Sequence, residues 1–296
     1  MVMKKYTKLA LISDLDGTLY NWVDFYAPSF RAMVHVLGRI TKLDEKRIME
    51  SFRQVYLKHR TVEYAFAIQE LDIWESLKWT NEEIMDNAVK PARVAFRMAR
   101  SKNLRLFPHV KETLLWAKTE GLLVIAYSNS TRIQAEMRLK YLHIDRFFDE
   151  LWSWYSEEIP TNVPKEVLSK YAAGKYDIAT LRKSEFSLAQ AKPNREILQF
   201  MLDKHHLCPE KTYIVGDNLH TDISVAQGVN ARDIWARYGR IRQEKNLDTL
   251  RQITPWSDEE IARDEESKRT VRPTYVIDDF GEIKEIIGSR QLSLPI

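Results

Sequence analysis

Two carboxylates one residue apart, Asp14 and Asp16, close the apolar run "KLALIS" (8–13) and are followed at once by Gly17 and Thr18. Like charges at that spacing repel, so the bland reading is a solvated turn and the functional one a bound cation or a proton relay. Further groups with chemistry follow later apolar runs. They are Ser128, Asn129 and Ser130 in "AYSNS" (126–130), Lys192 in "AKPN" (191–194), and Asp217 and Asp222 in "VGDNLHTD" (215–222). These residue types suit phosphoryl transfer. A phosphate ester is anionic and repels nucleophiles, so its site needs a cation to bring a carboxylate near phosphorus. Magnesium prefers hard oxygen ligands and binds through one or two carboxylates plus the substrate phosphate. A lysine adds a point charge, and a serine hydroxyl adds a donor to the phosphoryl oxygens.

The elements that must position these groups follow from the hydrophobic pattern. Short apolar runs at 8–13, 121–128, 149–154, 212–217, 232–237 and 274–278 read as buried strands, and most end in small or acidic residues. Helical spacing at 109–120, 131–143 and 194–206 lies between them, which predicts a parallel sheet with right-handed crossovers. Working sites in such sheets lie beyond the carboxyl ends of the strands, where Asp14, Ser128, Asp217 and Asp278 fall. Residues 22–104 have little strand character and read as an all-α insertion, in which Pro91 starts or kinks a helix. Smaller insertions are expected at 157–190 and 240–272.

The four segments, in this order, resemble the motifs of the haloacid dehalogenase superfamily of phosphatases and phosphotransferases. The resemblance implies a Rossmann-like α/β core of residues 1–21 and 105–288, with a helical cap at 22–104. It also implies a magnesium site of Asp14, the Asp16 backbone carbonyl and Asp217, with Asp222 orienting a metal-bound water or the lysine. Asp14 would be the nucleophile that forms a phosphoaspartate, splitting one hard displacement into two easier ones. Asp16 would protonate the leaving alkoxide and then deprotonate the hydrolytic water. Ser128 and Lys192 would act on the transferring group, with Gly17, Thr18, Asn129 and Ser130 binding its oxygens. The acid at Asp16 separates this pattern from the dehalogenase branch, where halide needs no protonation. The expected substrate is a small phosphorylated metabolite such as a nucleotide or sugar phosphate. A phosphomutase or phosphotransferase is the alternative.

In the insertion, His59 and Arg60 at a helix end are the expected contacts to the leaving group. Trp22, Phe25 and Tyr26 are expected to be mostly structural. The last residues, Gln291–Ile296, resemble the bacterial sliding-clamp-binding peptide, which implies a clamp as partner, bound by that peptide as an extended strand at the end of a tail from 289, and a clamp-associated protein acting in nucleotide or DNA metabolism as a further alternative. A net charge of +3 fits an anionic substrate and gives no indication of direct nucleic-acid binding. The single cysteine, Cys208, excludes an intrachain disulfide and suits a reducing compartment. The apolar run after the N-terminal lysines stops at Asp14, too short for a secretory signal, and no stretch approaches membrane-spanning length. A cytoplasmic protein is expected.

Overall fold

The computed structural model describes residues 8–155, 177–255 and 258–291. The strands are β1 (Ala10–Ser13), β2 (Leu123–Thr131), β3 (Glu150–Trp154), β4 (Arg182–Phe186), β5 (Thr212–Gly216), β6 (Arg232–Ala236) and β7 (Tyr275–Ile277). They form one sheet in the order β4-β3-β2-β1-β5-β6-β7, and every pairing is parallel. Along β1, Leu11 joins one apolar cluster while Ala10 and Ile12 join another, so both sheet faces are covered. Strands buried on both faces read as unbroken apolar runs, which is why β1 and β5 stand out in the sequence.

Strand β4 does not stand out. Its sequence RKSEF buries only Phe186, and it lies at the sheet edge beside β3, inside the region read as an insertion. Backbone pairing rather than side-chain burial holds it, and charged side chains suit an edge. Residue 156 and residues 157–176 of that insertion lie outside the described residues.

Between β1 and β2 the chain is helical. It forms α1 (Trp22–Thr41), α2 (Glu45–His59), α3 (Ile73–Leu77), α4 (Asn81–Glu83), α5 (Lys90–Asn103) and α6 (Val110–Thr119). Asn21 and Asp44 cap α1 and α2 by accepting the backbone N–H groups of Asp24 and Lys46. Pro91 stands in the first turn of α5, where its missing N–H costs nothing, directly after a π-helical turn at Ile84–Val89. Phe30 of α1 meets Phe52 of α2 edge-on at 5.1 Å. The buried side chains of these helices belong to the same cluster as one face of the sheet, so the insertion is packed continuously onto the core.

The remaining helices are α7 (Arg132–Tyr141), α8 (Arg195–Lys204), α9 (Ser224–Gly228), α10 (Glu244–Ile253), α11 (Asp258–Thr270) and α12 (Ile283–Gln291). Helices α8 and α9 cover the second face through Leu198, Met201, Val225 and Ala226. Helix α10 packs on α1 and α2. There Arg31 donates to Asn246 at 2.8 Å and to Thr249 at 2.7 Å, and Asn246 donates to Asp24 at 2.8 Å. Helix α12 runs through Gln291, so the first residue of the expected tail peptide is helical and not extended. The rest of that peptide, 292–296, lies outside the described residues. Among the described residues no helix is long and apolar enough to cross a membrane.

Candidate active site

Register gathers the site. Strand β1 lies between β2 and β5, with Ser13 level with Ala126 on one side and Val215 on the other. Asp14 follows by one residue, and Ser128 and Asp217 follow their own partners by two, at the same carboxyl end of the sheet. The Asp14 N–H donates to the Val215 carbonyl at 2.9 Å. The chain then leaves the sheet, and the Thr18 hydroxyl donates back to Asp14 Oδ2 at 3.1 Å. Gly17 makes this turn with φ +94°, and a Cβ there would lie 2.6 Å from the carboxylate carbon of Asp217. Only glycine lets the loop pass between these acids.

Lys192 sits at the centre. Its Nζ donates to Asp14 Oδ1 at 2.6 Å, to Asp222 Oδ1 at 2.6 Å and to the Tyr127 carbonyl at 3.2 Å, and all three side chains of this ion group are buried. Burial opposes the charge on Lys192, but Asp14 and Asp222 hold its pKa well above the ordinary lysine range. Asn129 fixes the backbone of Lys192 from β2, donating to its carbonyl at 3.0 Å and accepting its N–H at 2.9 Å. Asp222 Oδ2 accepts the Asn218 N–H at 3.1 Å. The turn Leu219–Ile223 is capped by the Asn218 side chain, which accepts from His220 and Thr221, so Asp222 is left to hold the lysine.

Burial pushes the Asp14 carboxyl well above the usual carboxylate range. Lys192 pulls it back, and Asp222, Asp217 and Asp16 push it further up. Burial pushes Asp217 up to about 6, against the pull of Arg242 and with the added repulsion of Asp222. Oxygens of Asp14, Asp217 and Asp222 lie within 4.8 Å of one another. This donor set fits magnesium: the ligands are hard oxygens, and the acids are crowded enough to resist ionising together without more positive charge. Both oxygens of Asp222 are engaged by Lys192 and Asn218, whereas no donor among the described residues reaches Asp217 Oδ1. Asp14 Oδ2 meets only the Thr18 hydroxyl, which can rotate away as the backbone N–H on Asp222 cannot, so Asp14 and Asp217 are the carboxylates better suited to hold an ion.

The Asp16 carboxylate turns the other way. Its Oδ2 accepts from Ser130 at 2.5 Å and Ser128 at 3.3 Å, and Arg138 of α7 donates to both of its oxygens at 2.9 and 3.1 Å. The backbone N–H of Ser130 donates to Ser128 Oγ at 3.0 Å. The structure thus brings Asp14, Asp16, Thr18, Ser128, Ser130, Lys192, Asp217 and Asp222 to one strand end.

The structure places His59 and Arg60 in the insertion. The His59 ring stacks on Tyr64 at 3.6 Å and bonds to Glu70 at 2.8 Å, within the insertion. Arg60 is exposed and closes α2 in a left-handed conformation, φ +55°. The side chains that reach the site from outside the motifs are different ones. Glu63 pairs with Arg138, and Arg240 and Arg242 come from the loop after β6. That loop passes close to the turn that follows Asp14: Tyr238 donates to the Thr18 carbonyl at 2.6 Å, and a Cβ on Gly239 would lie 2.7 Å from Asp217 Cβ. No motif marks these arginines, though "RYGRIR" (237–242) is a local concentration of cations that a search for counter-charges would have picked out. Asp278, at the end of β7, is exposed and paired with Arg237.

The fold recurs in solved structures. A 2-haloacid dehalogenase from Pseudomonas syringae pv. tomato DC3000 is 15% identical, covers 95% of this chain and 99% of its own, and superposes with a TM-score of 0.55. A HAD phosphatase from Thermococcus onnurineus is also 15% identical, with coverages of 95% and 98% and a TM-score of 0.52. At these identities the likeness is one of fold. In sequence, a glyceraldehyde 3-phosphate phosphatase from Pyrococcus furiosus is 22% identical over 177 residues, 60% of this chain and 57% of the relative. The chain thus matches little more than half the length of that relative. The haloacid dehalogenase-like hydrolase pattern matches residues 9–230, and a HAD-hydrolase-like pattern matches 190–283. A match across well over half of its length makes this chain a member of the haloacid dehalogenase-like hydrolases.

Proposed function

We propose that this hydrolase is a magnesium-dependent phosphatase that cleaves a small phosphomonoester through a phosphoaspartate on Asp14. The observation that carries the reading is the placement of Asp14. It is buried at a strand end, with one oxygen on Lys192 and the other on Thr18, beside Asp217. Magnesium held by Asp14 and Asp217 supplies the positive charge that lets an anionic ester approach a carboxylate.

In the first step an Asp14 oxygen bonds to phosphorus as the bond from phosphorus to the ester oxygen breaks. The departing alkoxide takes a proton from Asp16. In the second step Asp16 takes a proton from water, whose oxygen attacks phosphorus. Inorganic phosphate leaves and the Asp14 carboxylate is restored. Lys192 stabilises charge on the transferring oxygens, and the Ser128 hydroxyl, held beside Asp16, offers them a donor.

The acid–base group at Asp16 favours phosphate esters over carbon–halogen bonds, since a halide leaves unprotonated. The name of the Pyrococcus relative makes three-carbon sugar phosphates the first compounds to screen. The deciding assay is hydrolysis of an aryl phosphate with and without Mg²⁺, by wild type and Asp14→Asn. Metal-dependent turnover that the substitution abolishes is expected. Full activity in Asp14→Asn, or turnover indifferent to the metal, overturns the reading.

A further inference from the structure

Arg138 is 1% exposed, one of the largest fully buried side chains. Burying a guanidinium, like taking any ion from water, is costly unless good partners surround it. Its partners come from separate parts of the chain. On one side it holds both oxygens of Asp16 and the Ser130 hydroxyl, the last at 2.8 Å. On the other it pairs with Glu63, from the segment that joins α2 to α3, whose side chain is 7% exposed. Glu63 also accepts from Trp22 Nε1 at 2.9 Å, and the guanidinium lies 5.3 Å from the ring centre of Phe25. Asp16, Arg138, Glu63 and Trp22 therefore form one connected chain from the nucleophile turn, through α7, into the helical insertion. A guanidinium is a rigid planar fork, so two carboxylates paired with it are fixed in direction relative to each other.

We propose that Arg138 is the positioning residue for Asp16, and that its pairing with Glu63 ties the segment 61–71 of the insertion over the site, so that Asp16 is oriented for proton transfer when that segment is docked. The inference rests on the reading of Asp16 as the group that moves the proton. It makes a prediction that a merely structural arginine does not. A p-nitrophenyl ester releases an acidic phenol that leaves without a proton, whereas an alkyl ester needs one. Misplacing Asp16 should therefore penalise the alkyl ester selectively.

The test compares kcat/KM for p-nitrophenyl phosphate and glycerol phosphate in wild type, Arg138→Lys, Arg138→Met and Glu63→Gln. Backbone amide exchange across 61–71 is measured in the same proteins. General acid–base catalysis contributes roughly 10²–10⁴-fold, so Arg138→Met is expected to lose about 100-fold or more on glycerol phosphate and about tenfold or less on the aryl ester. Arg138→Lys, which keeps the charge, and Glu63→Gln, which is isosteric, should shift the same ratio by smaller factors, and Glu63→Gln should speed exchange across 61–71. Equal losses on both esters would overturn the positioning role. Unchanged exchange in Glu63→Gln would overturn the tie to the insertion. Wild-type protein inactive on both esters would defeat the phosphatase reading and the catalytic half of this inference together, with the exchange arm still deciding the tie.

Discussion

Arg242 donates to Asp217 Oδ2 at 2.7 Å, placing a guanidinium on a carboxylate suited to hold a divalent cation. The pair is largely enclosed, with side-chain exposures of 17% and 5%. An ion that binds Asp217 must share the carboxylate with this arginine or displace it. A charged hydrogen bond is worth about 1.5–3 kcal/mol net. Replacing Arg242 by glutamine is therefore expected to tighten Mg²⁺ binding about tenfold, as read by titration calorimetry. Weaker binding would mean that the arginine supports the metal site instead of competing for it.

Asp217 also sets a pH window. Its carboxyl titrates at about 6, above its ordinary value of 3.8, because it is buried. As pH falls through 6 the carboxyl becomes neutral, so Mg²⁺ affinity should drop steadily between pH 7 and pH 5. Stability of the metal-free protein moves the other way. The folded state binds this proton more tightly than the unfolded state does, so the contribution is fully present below about pH 4 and is lost as pH rises through about 6. A carboxyl raised this far contributes about 3 kcal/mol at the acid end of that window. The melting temperature of metal-free protein should fall from pH 5 to pH 7. Asp217→Asn should flatten that trend, and an unchanged trend in the variant would assign it to another group.

How much of this is legible in the sequence depends on what each element is made of. Strands β1 and β5 are buried on both faces and announce themselves, and the acids at their ends are found as soon as the strands are. Strand β4 is held by pairing at an edge, and RKSEF carries no apolar signal to find. Helix α7 is visible as a helix, but its buried side includes Glu136 and Arg138, so a polarity pattern points its faces the wrong way. Arg138 is invisible for that reason: its burial is compensated by Asp16 and Glu63, and no local sequence rule brings those three together. His59 and Arg60 do stand at a helix end, but the direction that end faces is set by tertiary packing. The ring of His59 goes to Tyr64 and Glu70.

Gly17→Ala separates the proposed metal site from the fold. The new methyl would lie 2.6–2.8 Å from three atoms of the Asp217 carboxylate, and φ +94° is strained for any side chain. The turn is outside the sheet, so the strands should still form. The expected result is a protein with wild-type secondary structure by circular dichroism whose Mg²⁺ affinity falls by about tenfold or more, as for one displaced ligand interaction of ~1.4 kcal/mol. Wild-type affinity would show that Asp217 can move aside without loss.

Lys192→Met tests the centre of the site. Methionine is close in volume and leaves Asp14 and Asp222 buried without the cation now 2.6 Å from each. Breaking a buried ion pair from one side typically costs about 3–5 kcal/mol, because a charge is left uncompensated. Urea unfolding at pH 7 without metal should show a loss of that order. Two conditions should each recover part of it. Acidification lets the orphaned carboxyls take up protons, and added Mg²⁺ brings back positive charge. The variant should consequently gain more stability from Mg²⁺ than wild type does. Equal gains from Mg²⁺ in the two proteins would mean that the lysine and the metal ion do not share the task of neutralising these acids. The methionine cannot stabilise charge on a transferring phosphoryl group, so the same variant should stay inactive on aryl phosphate even at saturating Mg²⁺. Recovered stability without recovered turnover would identify Lys192 as more than a counter-ion, because the metal can replace its charge in the fold but not its contact with the substrate.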